Sequence, residues 1–213
     1  MPLPLFSPYL SDYLDNLVPS RPEEMQRMED LAKQTDFPII GPASGYFCYL
    51  VARLIGARRV FEMGSGYGYS TAWFARAVQE NGGGQVFHVG WDAALSEQAR
   101  RHLSLLGYEE VITYRVGEAV QTLRETEGPF DLIFNDIDKI GYPESLPVIE
   151  QKLRPGGVLI LDNMLWNGRV LDPSDNSPST QAIRQATRYL TQSSDWIAMI
   201  VPIRDGLMVA VRK

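Results

Sequence analysis

From Arg59 onward the chain alternates short β-rich runs with longer helical patterns, and this alternation narrows the available folds more than any other feature. Strands are predicted at Val60–Met63, Gln85–Val89, Val111–Val116, Leu132–Asn135 and Val158–Leu161. Helical spacing fills the intervals at Thr71–Val78, Ala94–Leu106, Ala119–Leu123 and Tyr142–Leu153. A parallel neighbour cannot be reached by a hairpin, so this repetition demands a mostly parallel sheet wrapped by crossover helices. The expected class is α/β, doubly wound.

The rhythm breaks near the end. A helix near Thr180–Leu190 leads to Trp196–Val201, and the five residues Pro202–Gly206, with an Asp-Gly pair, separate it from Leu207–Val211. This reads as a hairpin, so the sheet finishes with one antiparallel strand. Ahead of the alternation, Ser20-Arg21-Pro22-Glu23 reads as a capping box opening a helix that carries Met25, Met28, Leu31 and Ala32 on one face. A second pattern through Phe47, Leu50, Val51, Leu54 and Ile55 stops near Gly56, so two helices are expected before the first strand. At 213 residues one domain is expected: helices in 1–57 covering the site, and a core in 58–213.

Composition removes several classes of function. With 20 basic and 26 acidic residues the net charge is −6, a poor default for gripping nucleic acid. A lone cysteine, Cys48, forbids an internal disulfide and fits a cytoplasmic setting. His88 and His102 stand apart from it, so a bound metal is left to oxygen ligands. Met1-Pro-Leu-Pro-Leu-Phe-Ser-Pro lacks a basic leader and an unbroken apolar stretch, and no run reaches the roughly 20 apolar residues of a membrane span.

Three strand ends carry chemistry. Glu62-Met63-Gly64-Ser65-Gly66-Tyr67-Gly68-Tyr69-Ser70 places a glycine-rich turn between the first strand and a helix, where backbone can approach a ligand closely. The spacing is G-x-G-x-G rather than the dinucleotide G-x-G-x-x-G, and Glu62 would repel a diphosphate while suiting an ammonium or sulfonium group. By itself the triplet also fits a β–α turn without a ligand. The fourth strand ends in Asp136-Ile137-Asp138-Lys139 and the fifth in Asp162-Asn163. If these strands are near neighbours, Asp136, Asp162 and Asn163 converge as an all-oxygen set of the kind Mg²⁺ or Ca²⁺ selects; otherwise they cap helices or turns. Lys139 is one of only four lysines, and unlike arginine, which supplies nearly all the other cations here, lysine can give up a proton near neutrality.

At these residues the chain resembles the cation-dependent O-methyltransferases, the family of catechol and caffeoyl-coenzyme A O-methyltransferases and their bacterial relatives. The resemblance runs through Ser20–Glu23, Glu62–Ser70, Asp136–Lys139 with Tyr142, Arg154-Pro155-Gly156-Gly157, Asp162–Gly168 and Pro202–Leu207. It implies a Rossmann-like, mostly parallel seven-stranded sheet and S-adenosylmethionine as cofactor. Glu62, Gly64, Gly66, Gly68 and Ser70 would line its methionine and ribose portion, with Asp136 near the ammonium and Trp91, Glu118 and Ala119 beside the adenine. Asp136, Asp162 and Asn163 would hold Mg²⁺ (or Ca²⁺ or Mn²⁺), Lys139 would be the base, and Tyr142, Trp166 and Asn167 would border the acceptor. A small hydroxylated acceptor, catechol-like or otherwise bearing vicinal oxygens, and a homodimer are implied as well. The alternatives are a relative that methylates a hydroxylated tRNA base and a cofactor-binding protein that has lost catalysis. One departure stands out: Gly90 occupies the end of the second strand, where the family places the acid that grips the ribose hydroxyls.

Overall fold

The computed structural model describes residues 8–213; the reading of Met1 to Ser7 lies outside the described residues. Helices α1 (Pro8–Leu17), α2 (Glu23–Thr35) and α3 (Gly41–Leu54) lead into β1 (Arg59–Met63), α4 (Tyr69–Glu80), β2 (Gln85–Gly90) and α5 (Ala93–Leu105). The alternation continues through β3 (Ile112–Val116), α6 (Ala119–Glu125), β4 (Phe130–Asn135), α7 (Tyr142–Lys152) and β5 (Leu153–Leu161). It closes with α8 (Pro178–Gln192), β6 (Trp196–Val201) and β7 (Leu207–Arg212).

The seven strands form one sheet in the order β3-β2-β1-β4-β5-β7-β6. Pairing is parallel from β3 to β5, while β7 runs antiparallel to both β5 and β6. Successive strand residues point to opposite faces, and the two cores divide accordingly. Leu132, Phe134, Val158 and Ile160 join the core beneath the N-terminal helices, α4 and α5. Ile133, Leu159 and Leu161 enter the opposite core with α6, α7 and α8. Because both faces are covered, the central strands are almost continuously apolar.

The N-terminal segment differs from expectation in two ways. Among the described residues three helices, not two, precede β1, because α1 packs against α3 and is stabilised by that tertiary contact. The capping box is not formed: α2 begins at Glu23 behind Pro22, with no side-chain cap. Glu23 instead pairs forward with Arg27 at 2.5 Å, and the Arg21 guanidinium donates twice to Glu29, at 2.8 and 2.9 Å. Among the described residues, no helix is long and apolar enough to cross a membrane.

Candidate active site

Strand order reverses at β1, which lies between β2 and β4, and ligands of doubly wound sheets bind beyond the strand ends at such a reversal. The glycine turn follows β1 there and Asp136 follows β4. The Asp136 amide donates to the Met63 carbonyl at 2.9 Å, while the Gly64 and Ser65 amides both reach the Val89 carbonyl at 3.0 Å. Gly64 has φ +88°, and a Cβ on it would lie 2.5 Å from the Asp136 carbonyl oxygen. Only glycine allows the two strand ends to cross this closely.

Two cavities meet over the turn. The first, about 490 Å³, is walled by Gly64, Gly66, Ser70, Asp136, Lys139, Asp162 and Asn163, with Phe37 to Ile40 from the N-terminal segment and Trp166 completing the lining. The second, about 640 Å³, shares Gly64, Gly66 and Asp136 and extends past Gly90, Trp91, Glu118 and Ala119. Residues from three strand ends and the α2–α3 connection are thus gathered around one groove.

Two acids of the first cavity are ion-paired, whereas Asp138, also in its wall, accepts from the Ile140 amide at 3.0 Å. Lys139 Nζ donates to Asp136 Oδ1 at 2.6 Å and to the Ile137 carbonyl at 3.1 Å. Arg204, from the β6–β7 turn, donates to Asp162 Oδ2 at 3.1 Å, and the Asn163 amide reaches Asp162 Oδ1 at 2.8 Å. Burial, then the nearby Asp136 charge, holds the Asp162 carboxyl above the usual carboxylate range. Asn163 donates its Nδ2 to Asp205 Oδ2 at 3.1 Å, which leaves its Oδ1 as the available end of the amide. Among the described residues no three His, Cys, Asp or Glu side chains gather at one point; the oxygen set consists of two carboxylates and an amide.

Glu62 and Gly68 stand behind the walls rather than in them. Glu62 is fully buried; it accepts from the Ser70 hydroxyl and, at 2.5 Å, from Thr71 Oγ1, which also meets His88 Nδ1 at 3.0 Å. Burial pushes Glu62 up to about 7 against the pull of these hydroxyls. It therefore bears on the groove through Ser70. At Gly68 a Cβ would lie 3.0 Å from Ala99 and Leu103, so this glycine serves the packing of α4 against α5. Glu118 caps α6 by accepting from the Val120 and Gln121 amides at 2.9 and 2.6 Å. Trp91 is 80% exposed on the rim of the second cavity.

Tyr142 is a correction. It is fully buried, and its hydroxyl donates to the Asp162 carbonyl at 2.8 Å, bracing the end of β5 rather than bordering an acceptor. The Asn167 amide donates to Asp205 at 2.6 Å, outside either wall. Cys48 is buried in the core on α3. Arg204 and Phe37 to Ile40 were not legible as site residues. The Pro202–Gly206 motif signals a turn and nothing about its partner across the sheet, and Phe37-Pro38 signals only a helix break.

A family model described as O-methyltransferase matches residues 19–213. The chain belongs to the O-methyltransferase family. The enzyme is accordingly an S-adenosylmethionine-dependent O-methyltransferase. This O-methyltransferase is 32% identical over 183 residues to a catechol O-methyltransferase of Niastella koreensis, covering 82% of each chain. It superposes on the O-methyltransferase TomG from Streptomyces achromogenes, solved in complex with SAM, with a TM-score of 0.86 at 28% identity over 96% of both chains. An O-methyltransferase from Bacillus cereus, solved in complex with SAH, gives a TM-score of 0.86 at 27% identity over 96% of this chain and 97% of that one.

Proposed function

We propose that this O-methyltransferase transfers the methyl group of S-adenosylmethionine to one hydroxyl of a small catechol-like molecule, with a divalent cation that Asp136, Asp162 and Asn163 would hold. The observation that carries the reading is the meeting of Asp136, Asp162, Asn163 and Lys139 in one cavity with the glycine turn. The donor set fits a hard cation: all its atoms are oxygens, and two acids placed close enough to repel each other gain from a shared positive charge.

When bound there, the cation supplies Lewis acidity toward vicinal oxygens, enough to offset the about 3–4 kcal/mol that separate a phenol titrating near 10 from the neutral range. Lys139 Nζ, held by Asp136 and the Ile137 carbonyl, first gives up its own proton to solvent and then, as the neutral amine, takes the proton of the acceptor hydroxyl. Asp136, in the wall of both cavities, also offers its charge to the ammonium of the methyl donor. Gly64 and Gly66 present bare backbone along the donor's methionine part, and Ser70, fixed by Glu62, presents its hydroxyl beside them. The rim at Trp91, Glu118 and Ala119 receives the adenine. Phe37 to Ile40 close the acceptor side and exclude water. Fixing nucleophile and methyl group in line lowers the barrier by several kcal/mol, on the order of that measured for oriented reactants.

The reading is tested by a methyl-transfer screen of diphenols and of tRNA with S-adenosylmethionine. Turnover of a diphenol that stops with EDTA and returns with Mg²⁺ is expected. Turnover indifferent to EDTA overturns the role of the cation, and turnover of tRNA alone overturns the acceptor class.

Gly90 makes a second expectation. A Cβ at this position meets nothing within 4 Å, and Asp92 is committed to capping α5, its Oδ1 accepting from the Ala94 and Leu95 amides at 2.8 and 3.1 Å. Gly90 itself thus offers no carboxylate to the ribose, and Asp92, which also lines the second cavity, has only its Oδ2 left over from the cap. Gly90→Asp is expected to tighten S-adenosylmethionine binding by roughly tenfold, the low end of a hydrogen bond to a charged group. Isothermal titration of both proteins checks it, and equal affinities would place the ribose elsewhere.

A further inference from the structure

Arg204 stands out because it sits in the first cavity without a part in the chemistry proposed above. Its backbone has φ +51°, a conformation that side chains other than glycine rarely adopt. The turn that carries it is nevertheless tightly fixed. The Leu165 amide donates to the Asp205 carbonyl at 2.8 Å, the Met164 amide to the Gly206 carbonyl at 2.9 Å, and Asn163 and Asn167 both bond the Asp205 carboxylate. Such strain persists where the surroundings over-determine the backbone. The consequence is that a guanidinium is delivered to Asp162, one of the two acids of the oxygen set.

The charges then add up in a particular way. Asp136 with Lys139 and Asp162 with Arg204 form two ion pairs, so each acid of the oxygen set already has a cation of its own. A divalent ion among the same oxygens adds two positive charges to two cations already in contact with the acids. Lys139 has little room to withdraw, with a side chain 9% exposed and a second bond to the Ile137 carbonyl. Arg204 is 36% exposed and forms part of the wall of a neighbouring cavity of about 630 Å³, which also holds Asp12 and Asp15 from α1, alongside Lys33 and the Arg21–Glu29 ion pair. It is the cation with somewhere to go, and acids are there to meet it.

We infer that Arg204 is a resident counter-ion that competes with the divalent cation for Asp162 and withdraws toward the acid-lined cavity when the ion binds. The inference rests on the cation reading of the site. It makes the affinity for metal weaker than the oxygen set alone would give, and it links metal loading to the N-terminal helices that border the acceptor side.

The test is Mn²⁺ binding to the otherwise metal-free protein, followed by isothermal titration, with the native chain compared with Arg204→Gln and Arg204→Lys. Arg204→Gln removes the charge and is expected to bind Mn²⁺ about tenfold tighter, the scale of one charge-assisted hydrogen bond. Arg204→Lys keeps a cation and is expected to stay within about threefold of native, since a lysine reaches the same acid as a point charge. Thermal unfolding gives a readout that needs no turnover. In EDTA, Arg204→Gln is expected to unfold at a lower temperature than native, and added Mn²⁺ is expected to raise its midpoint by more. Equal or weaker Mn²⁺ binding by Arg204→Gln overturns the competition while leaving the cation site in place. Failure of both proteins to bind Mn²⁺ overturns the site and the inference together.

Discussion

Lys139→Ala is expected to lower kcat by about 10²- to 10⁴-fold, the range for losing a positioned general base, with the KM for S-adenosylmethionine little changed. Lys139 is buried and bonds only Asp136 and the Ile137 carbonyl, so its removal should leave the outline of the groove intact. The binding of the donor rests chiefly on the turn after β1 and on the rim near Trp91, and of the groups assigned to the donor Lys139 bonds only Asp136, which keeps its charge in the variant. A loss confined to kcat is the mark of a group acting in the transition state. Lys139→Arg is the sharper control. It preserves charge and the pairing to Asp136, yet a guanidinium does not release its proton, so activity should stay low. Initial rates at saturating donor and acceptor measure both variants. An active Lys139→Arg would show that the position contributes charge and not proton transfer.

How much of this was legible in the sequence follows from which interactions are local. The strands were readable because a sheet covered on both faces needs apolar residues at nearly every position, and Leu132-Ile133-Phe134 and Val158–Leu161 leave little else to become. Asp136, Lys139, Asp162 and Asn163 were readable for a related reason: a polar residue immediately after such a run lies at the end of the sheet where ligands bind. The adjacency of β4 and β5 then brings them together. Glu62 lies inside β1, one residue before its end, and two hydroxyls on the next helix, Ser70 and Thr71, draw its carboxylate away from the groove. Spacing in the chain gives no measure of that rotation. Arg204 lies 42 residues beyond Asp162 and reaches it only because β7 inserts between β5 and β6. The Ser20 motif misled because Glu23 had a better partner in Arg27, one turn ahead, than in the backbone behind it.

The second large effect is expected at Gly64. Gly64→Ala has two costs that can be separated by comparison with Gly82→Ala. At Gly82, with φ +92°, an added Cβ has nothing within 4 Å, so alanine there brings only the backbone penalty of about 1–2 kcal/mol. At Gly64 the backbone is similarly placed, at φ +88°, and the same methyl group lies 2.5 Å from the Asp136 carbonyl oxygen and 2.8 Å from its carbon. These are backbone atoms of a central strand end, fixed by the Asp136 amide bond to Met63, so they cannot swing aside as a side chain would. Overpacking of this kind adds about 1–3 kcal/mol, and urea denaturation should find Gly64→Ala the less stable of the two by that margin. The movement that relieves the clash separates the ends of β1 and β4, displacing Asp136 and with it the anchor of Lys139. Gly64→Ala should therefore lose donor binding and turnover together at temperatures where it is still folded, whereas Gly82→Ala should keep both. If the two variants proved equally stable, the close crossing of the strand ends would not be the feature that sets the geometry of the groove.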